Sequence, residues 1–186
     1  MELKGERTLP ADQTTAWAAL TDVELLKLCI PGCESITAVE GGNRYEILMV
    51  AAVGPVKSKF KGTLEMADIV APESYTLKFD GSGGAAGFAR GQAQVRLVPQ
   101  GAQQTQLAYV ANAQVGGRLA QVGSRLIDAA AGATADKFFE AFGEQLAARQ
   151  RIAGAPQAAS SSSPPAASFG VWSLLKAFFK RLFGGR

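Results

Sequence analysis

The sequence predicts an α+β domain in which a curved antiparallel sheet wraps around a long C-terminal helix. Three observations lead there. Several segments between Arg44 and Val115 alternate with a period of two. Two short apolar helical stretches precede them, and a long stretch with a period near 3.6 follows.

Glu2 to Leu9 alternates weakly and reads as the first strand, and Pro10 begins a new element. Ala11 to Leu20 and Asp22 to Cys29 read as two short helices, with Asp22 as N-cap of the second. Trp17, Leu20, Leu25 and Leu28 give this pair its apolar faces, and Ile30-Pro31-Gly32 ends it. From Arg44 to Val53, Tyr45, Ile47, Met49, Ala51 and Val53 share one face. Gly54-Pro55 makes the turn. Val56 to Met66 alternates most cleanly: Lys57, Lys59, Lys61, Thr63 and Glu65 face out, while Phe60, Gly62, Leu64 and Met66 face in. Tyr75, Leu77 and Phe79 mark the next strand, and Gly81 to Gly87 a loop. Two more strands follow, with Ala89, Gly91, Ala93, Val95 and Leu97, then Leu107, Tyr109, Ala111, Ala113 and Val115, facing in. Gly116-Gly117 closes the sheet. From Arg118 to Arg149 one long helix is expected, with Gly132 a place where it can bend.

The inward faces carry a second message. Ala51, Gly62, Ala89, Gly91, Ala93, Ala111 and Ala113 are small. Small residues on a sheet that faces a helix leave either very close packing or a cavity. An apolar cavity with few polar groups is a usual ligand site. The expected lining is Tyr45, Ile47, Met49, Phe60, Leu64, Tyr75, Leu77, Phe79, Val95, Leu107, Tyr109, Leu119, Val122 and Leu126. The glycine loop supplies the expected mouth: Gly83, Gly84 and Gly87, with Phe88.

Charge divides the chain. Residues 1–150 hold 14 of the 19 Lys and Arg and all 16 Asp and Glu, a net charge of −2. Residues 151–186 hold the other five cations and no acid, a net charge of +5. A mildly acidic domain makes a poor nucleic-acid binder, because phosphate contacts need clustered Lys and Arg. Histidine is absent. That removes Ser-His and Cys-His catalysis and the usual His-ligated metal sites. Cys29 and Cys33 bracket Ile-Pro-Gly and read as small buried residues around a turn, not as a redox CxxC pair. No metal site, covalent cofactor or paired carboxylates are expected.

Three segments make up the domain plan: a ligand-binding domain over 1–150, a flexible Ala/Ser/Pro linker over 151–168, and an amphipathic helix over 169–186. On a helix, Val171, Leu174, Leu175, Phe178, Phe179 and Leu182 share a face, with Trp172 and Phe183 at its edge and Phe169 at its start. Lys176 and Lys180 lie opposite, flanked by Arg181. Its length, about 22 Å from Phe169 to Phe183, is short of the roughly 30 Å bilayer core, so it suits a membrane surface better than a span. A groove on a partner protein is the other reading. The flexible linker lets it roam by roughly 20–25 Å. With no secretory signal in the first ten residues and no long apolar run, the expected location is cytoplasmic, peripheral on the inner face of the cell membrane.

Gly81-Ser82-Gly83-Gly84-Ala85-Ala86-Gly87 is not read as a dinucleotide loop, because a strand and not a helix follows it. The Lys57, Lys59 and Lys61 stripe is a solvated sheet face or a docking face for an acidic protein.

Three short runs carry more than a fold: Leu28-Cys29-Ile30-Pro31-Gly32-Cys33; Gly54-Pro55-Val56 with Phe60-Lys61-Gly62; and Gly116 through Ile127 (GGRLAQVGSRLI), followed by Phe138-Phe139. By these runs the chain resembles the G-subunit family of aerobic carbon monoxide dehydrogenase, within the helix-grip (START/Bet v 1-like) superfamily. The likeness spans about residues 1–148. It implies a non-catalytic accessory protein of a molybdenum hydroxylase of the carbon monoxide dehydrogenase type, tying it to the membrane and its electron acceptor. It also implies a hydrophobic cavity between sheet and long helix. The fitting cargo is a hydrophobic small molecule, lipid-like, and for such a partner a respiratory quinone, menaquinone or ubiquinone, with Tyr45 or Tyr109 facing its ring. Two alternatives stay open: a recruitment adaptor with a solid core, and a helix-grip enzyme acting on an apolar substrate.

Overall fold

Residues 1–154, apart from Glu40, are described by a computed structural model. The alternating segments form one antiparallel sheet: β1 (Glu2–Leu9), β2 (Cys33–Ala38), β3 (Arg44–Val53), β4 (Val56–Val70), β5 (Ser74–Ser82), β6 (Phe88–Gly101) and β7 (Gln104–Gly116). Its strand order is β1-β7-β6-β5-β4-β3-β2. Between β1 and β2 lie α1 (Gln13–Leu20) and α2 (Val23–Cys29), and α3 (Ser124–Gly154) follows the sheet. This is the sheet and long helix that the periodicity predicts, in the helix-grip arrangement that the family resemblance implies. Alternation decides the faces: along the first half of β4, Lys57, Lys59 and Lys61 are exposed, while Val56, Ser58 and Phe60 turn inward.

Turn chemistry sets the register. Val53 pairs with Val56 around Gly54-Pro55, and Gly54 takes φ +56°, which costs glycine little. The first strand then crosses to the last, with Gly5 opposite Tyr109. Asp12 caps α1 by accepting from the Thr15 amide (3.0 Å). Asp22 caps α2 by accepting from the amides of Glu24 (3.0 Å) and Leu25 (3.2 Å).

Burial is divided between two clusters. The larger joins Leu9 of β1, Leu20 of α1, Leu25 and Cys29 of α2, Leu97 and Leu107 of the sheet, and Phe142 and Leu146 of α3. The fully buried Thr105 hydroxyl donates to the Ala11 carbonyl (2.8 Å), which meets its need for a partner. The smaller cluster joins Phe60, Ala86 and Leu119, flanked by Met49, Ala51, Val53, Val56 and Val115.

Four local features differ from the sequence reading. The strand β2 was not anticipated, because only Ile36 in it is buried and it is held by pairing with β3 at the sheet edge. The long helix does not start at Arg118. Gly117–Val122 forms 3-10 turns, and Gly123 at φ +94° separates them from α3, since that backbone conformation does not fit inside an α-helix. At its other end α3 continues through Arg151–Gly154, into the stretch assigned to the linker. Leu28 is 71% exposed rather than part of the apolar face, which α2 makes from Leu25 and Cys29, one turn apart. The tail residues Phe169, Val171, Trp172, Leu174, Leu175, Lys176, Phe178, Phe179, Lys180, Arg181, Leu182 and Phe183 lie outside the described residues.

Candidate functional site: an apolar cavity between sheet and helices

Inward side chains of the sheet meet the three helices around a cavity of about 270 Å³. The sheet contributes Ile36, Tyr45, Leu64, Met66, Tyr75, Leu77, Ala93, Val95, Leu107 and Tyr109. The end of α1, the turn after it, and α2 with its C-cap contribute Leu20, Thr21, Val23, Leu26 and Ile30. Phe138 and Phe139 of α3 complete the wall. None of these side chains is charged.

Aromatic rings set much of the shape. Phe139 stacks on Tyr109 (centroids 5.3 Å apart, 26° between planes) and meets Phe138 edge-on at 5.0 Å. Tyr75 meets Trp17 edge-on at 5.6 Å. Arg7 of β1 holds this side in place: its guanidinium lies 5.5 Å from the Phe139 centroid and ion-pairs with Asp136 of α3. On the opposite side, Asp22 ties α2 to α3 by accepting from the Arg149 guanidinium (2.7 Å). That hydrogen bond is the main reason the Asp22 carboxyl is held below its ordinary value of 3.8, against a desolvation that acts the other way.

Four hydroxyls are the polar groups of the wall. Thr21 donates to the Trp17 (3.1 Å) and Ala18 (3.2 Å) carbonyls. Tyr45 reaches out to the Gly42 carbonyl (3.4 Å). Tyr75 is 7% exposed, and burial pushes its phenol far above the usual range, so it stays protonated. Tyr109 is half-buried beside Gly5.

Of the side chains that sequence reasoning assigned to the lining, Tyr45, Leu64, Tyr75, Leu77, Val95, Leu107 and Tyr109 come together here. Met49, Phe60 and Leu119 do not; they pack in the smaller cluster. Ile47 is buried outside the wall, and Phe79 borders a separate polar depression with Lys78, Asp80 and Arg90. Val122 is half-buried in the 3-10 segment, and Leu126 is 49% exposed beside Gly54.

None of the four residues assigned to a mouth touches the cavity. Gly83 lies so close to Phe60 that a methyl group there would stand 2.7 Å from the ring. Gly87, at φ +113°, faces the Gly116 carbonyl too closely for any side chain. Gly84 is exposed at φ +60°, and Phe88 is partly exposed under the Arg90 guanidinium (5.3 Å). Gly87 thus lets two backbones approach and Gly83 makes room for the Phe60 ring, both packing roles.

Sequence reasoning missed Leu20, Thr21, Ile36, Met66 and Ala93 as lining, and the whole contribution of helix α2. Its seven residues are too few for periodicity to separate a cavity face from a solvent face. Phe138 and Phe139 were recognisable as a motif, but not as cavity wall.

Two of the three stripe lysines, and both cysteines, are accounted for by local contacts or burial, while Lys57 forms no ion pair among the described residues. On the convex face Lys59 pairs with Glu34 (2.8 Å), Lys61 with Glu46 (4.0 Å) and Lys78 with Glu65 (3.9 Å). Burial pushes the thiols of Cys29 and Cys33 up, away from reactive thiolate. Among the described residues no cluster of three or more His, Cys, Asp or Glu could hold a metal ion. No described helix is long and apolar enough to cross a membrane.

The sequence profile of the carbon monoxide dehydrogenase G subunit (CoxG) matches residues 5–147. The chain belongs to the CoxG family. A conserved protein from Geobacillus kaustophilus is 30% identical and superposes on this CoxG-family chain with a TM-score of 0.74, covering 80% of it and 96% of the other. The fold is shared more widely. An aromatase/cyclase from Streptomyces sp. R1128 (TM-score 0.64, 14% identity) covers 83% of this chain and 98% of its own. A START superfamily protein from Mycobacterium smegmatis (TM-score 0.61, 12% identity) covers 80% and 98%. No curated protein matches the chain.

Proposed function

We propose that this CoxG-family protein is a non-catalytic accessory protein that carries a hydrophobic, lipid-like ligand in the cavity for a carbon monoxide dehydrogenase-type molybdenum hydroxylase. The observation that carries the reading is the cavity itself: aliphatic and aromatic walls, hydroxyls as the polar groups, and no charge. For an oxidoreductase partner the matching cargo is a respiratory quinone, menaquinone or ubiquinone. Size sharpens this. At about 270 Å³ the cavity is near the lower bound of about 300 Å³ for ligand pockets. It suits a ring and the start of an isoprenoid tail, with a longer tail continuing outside.

The second part of the reading is recruitment. The cationic, apolar segment 169–186 would hold the protein and its enzyme on the inner face of the cell membrane. Against an enzyme reading stands the chemistry of the wall, which has no carboxylate, amine or imidazole to move a proton.

Native mass spectrometry of the detergent-free full chain, incubated with menaquinone or ubiquinone, tests the cargo. One quinone per chain is the expected result; a protein that stays empty defeats it. Removal of residues 153–186 should abolish partitioning to anionic vesicles and leave quinone uptake intact.

A further inference from the structure

Among the described residues, Tyr75 is the one wall hydroxyl that is both buried and without a partner. It sits near the start of β5, opposite Val95 of β6, and is 7% exposed. Thr21 and Tyr45 spend their protons on backbone carbonyls, whereas the Tyr75 oxygen has no hydrogen-bond partner among the described residues. Yet no sealed side-chain nitrogen or oxygen among those residues lacks a partner, so this oxygen borders open space. Tyr75 is one of the side chains that line the cavity. An apolar occupant that displaced water from this oxygen would cost it a hydrogen bond, whereas an occupant carrying an acceptor would restore it.

We infer that Tyr75 is the recognition donor of the cavity, giving its O–H to a carbonyl oxygen on an uncharged ligand that enters oxygen end first. This deepens the cargo reading and rests on it. Charge sets the class. The wall offers no cation to a carboxylate or phosphate, and the Arg7 and Arg149 guanidiniums beside it are paired with Asp136 and Asp22. Burying an unpaired anion there would be strongly unfavourable, so fatty acids and phospholipid headgroups are disfavoured. A ring ketone or quinone asks for one donor and apolar surroundings, which Tyr75, Leu77 and Val95 supply.

The test compares three probes on the full chain: dimethylnaphthoquinone, whose quinone ring has no free carbon for a thiol to attack, dimethylnaphthalene, and dodecanoate. Wild type should bind the quinone more tightly than the hydrocarbon, and dodecanoate should not displace it. Tyr75→Phe should weaken quinone binding by about three- to tenfold, the value of one net hydrogen bond. Its affinity for the hydrocarbon should not change, and the bound carbonyl stretch should shift upward in the infrared. A Tyr75→Phe protein that keeps the full preference and the same carbonyl stretch overturns the assignment to Tyr75, while the cavity reading survives. Displacement by dodecanoate overturns the uncharged class. Should wild type bind neither aromatic probe, the cargo reading itself fails and takes this one with it. If Tyr75→Phe is poorly folded, the carbonyl stretch of quinone bound to wild type still decides: a frequency equal to that in hexane overturns the assignment.

Discussion

The phenol of Tyr109 lies directly over the bare backbone of Gly5, its partner across the β1–β7 pair. A methyl group on Gly5 would stand 2.7 Å from the phenol oxygen and 2.9 Å from the adjoining ring carbon. The missing side chain therefore lets Tyr109 lie where it can stack on Phe139 and shape the cavity.

Gly5→Ala should accordingly push Tyr109 off Phe139 and cost about 1–3 kcal/mol, as overpacking does. Denaturant unfolding measures the loss. In a Tyr109→Leu background the same substitution should cost clearly less, because the two residues share one space. Equal costs in both backgrounds would show that the ring is not what Gly5 accommodates.

The glycine loop offers a contrast between two positions with left-handed backbone. At Gly84, with φ +60° and nothing within 4 Å, alanine should cost only backbone strain, about 1–2 kcal/mol. At Gly87 the new methyl also strikes the Gly116 carbonyl, so alanine should cost distinctly more, about 3 kcal/mol or above. Thermal melts of the two variants give the ranking. The reverse order would remove the packing role assigned to this loop.

Asp22 combines a helix cap with an ion pair, and two substitutions separate them. Asn caps as well as Asp, so Asp22→Asn should lose only the Arg149 pair, under about 1 kcal/mol at this partly exposed site. Asp22→Ala loses the cap as well, and should cost roughly 1 kcal/mol more. Because folding lowers the Asp22 pKa, its ionised form stabilises the fold above the ordinary value of 3.8. That contribution is lost as pH falls below 3.8 through the depressed value. The stability gap between wild type and Asp22→Asn should therefore close in acid and be constant near neutrality. Unfolding curves across this range read it directly.

Ala93 is a small residue of the cavity wall on a central strand. Ala93→Leu should fill space rather than create it, keeping stability within about 1.5 kcal/mol of wild type. It should also abolish uptake of quinone by the full chain. Retained uptake in a stable Ala93→Leu protein would place the ligand outside this cavity.

Much of the sheet was legible because Lys57, Lys59 and Lys61 alternate with inward residues, a pattern only a strand satisfies. β2 was not, since Cys33–Ala38 owes its conformation to its neighbour rather than to a period of its own. The division of the interior was equally hidden. Tyr45 and Met49 share a face of β3, yet one lines the cavity and the other packs with Phe60. Alternation tells which side of a sheet a residue occupies, but not how far along the strand a helix or loop comes down to cover it. That distance depends on Gly123, which delays the start of α3, and on Asp22 and Arg149, which fix where α2 lies.

The pairing of β1 with β7 bears on how this chain is made. Glu2 bonds beside Asn112 and Leu9 beside Thr105, so β1 leaves the ribosome ahead of the other strands and waits for a partner synthesised about a hundred residues later. At about 5–20 residues per second that wait is roughly 5–20 s. Through it the strand's backbone is open to any stray edge, and Glu2, Lys4 and Glu6 on its exposed face act as charged guards against such pairing. Domain closure is thereby timed by translation of the last strand.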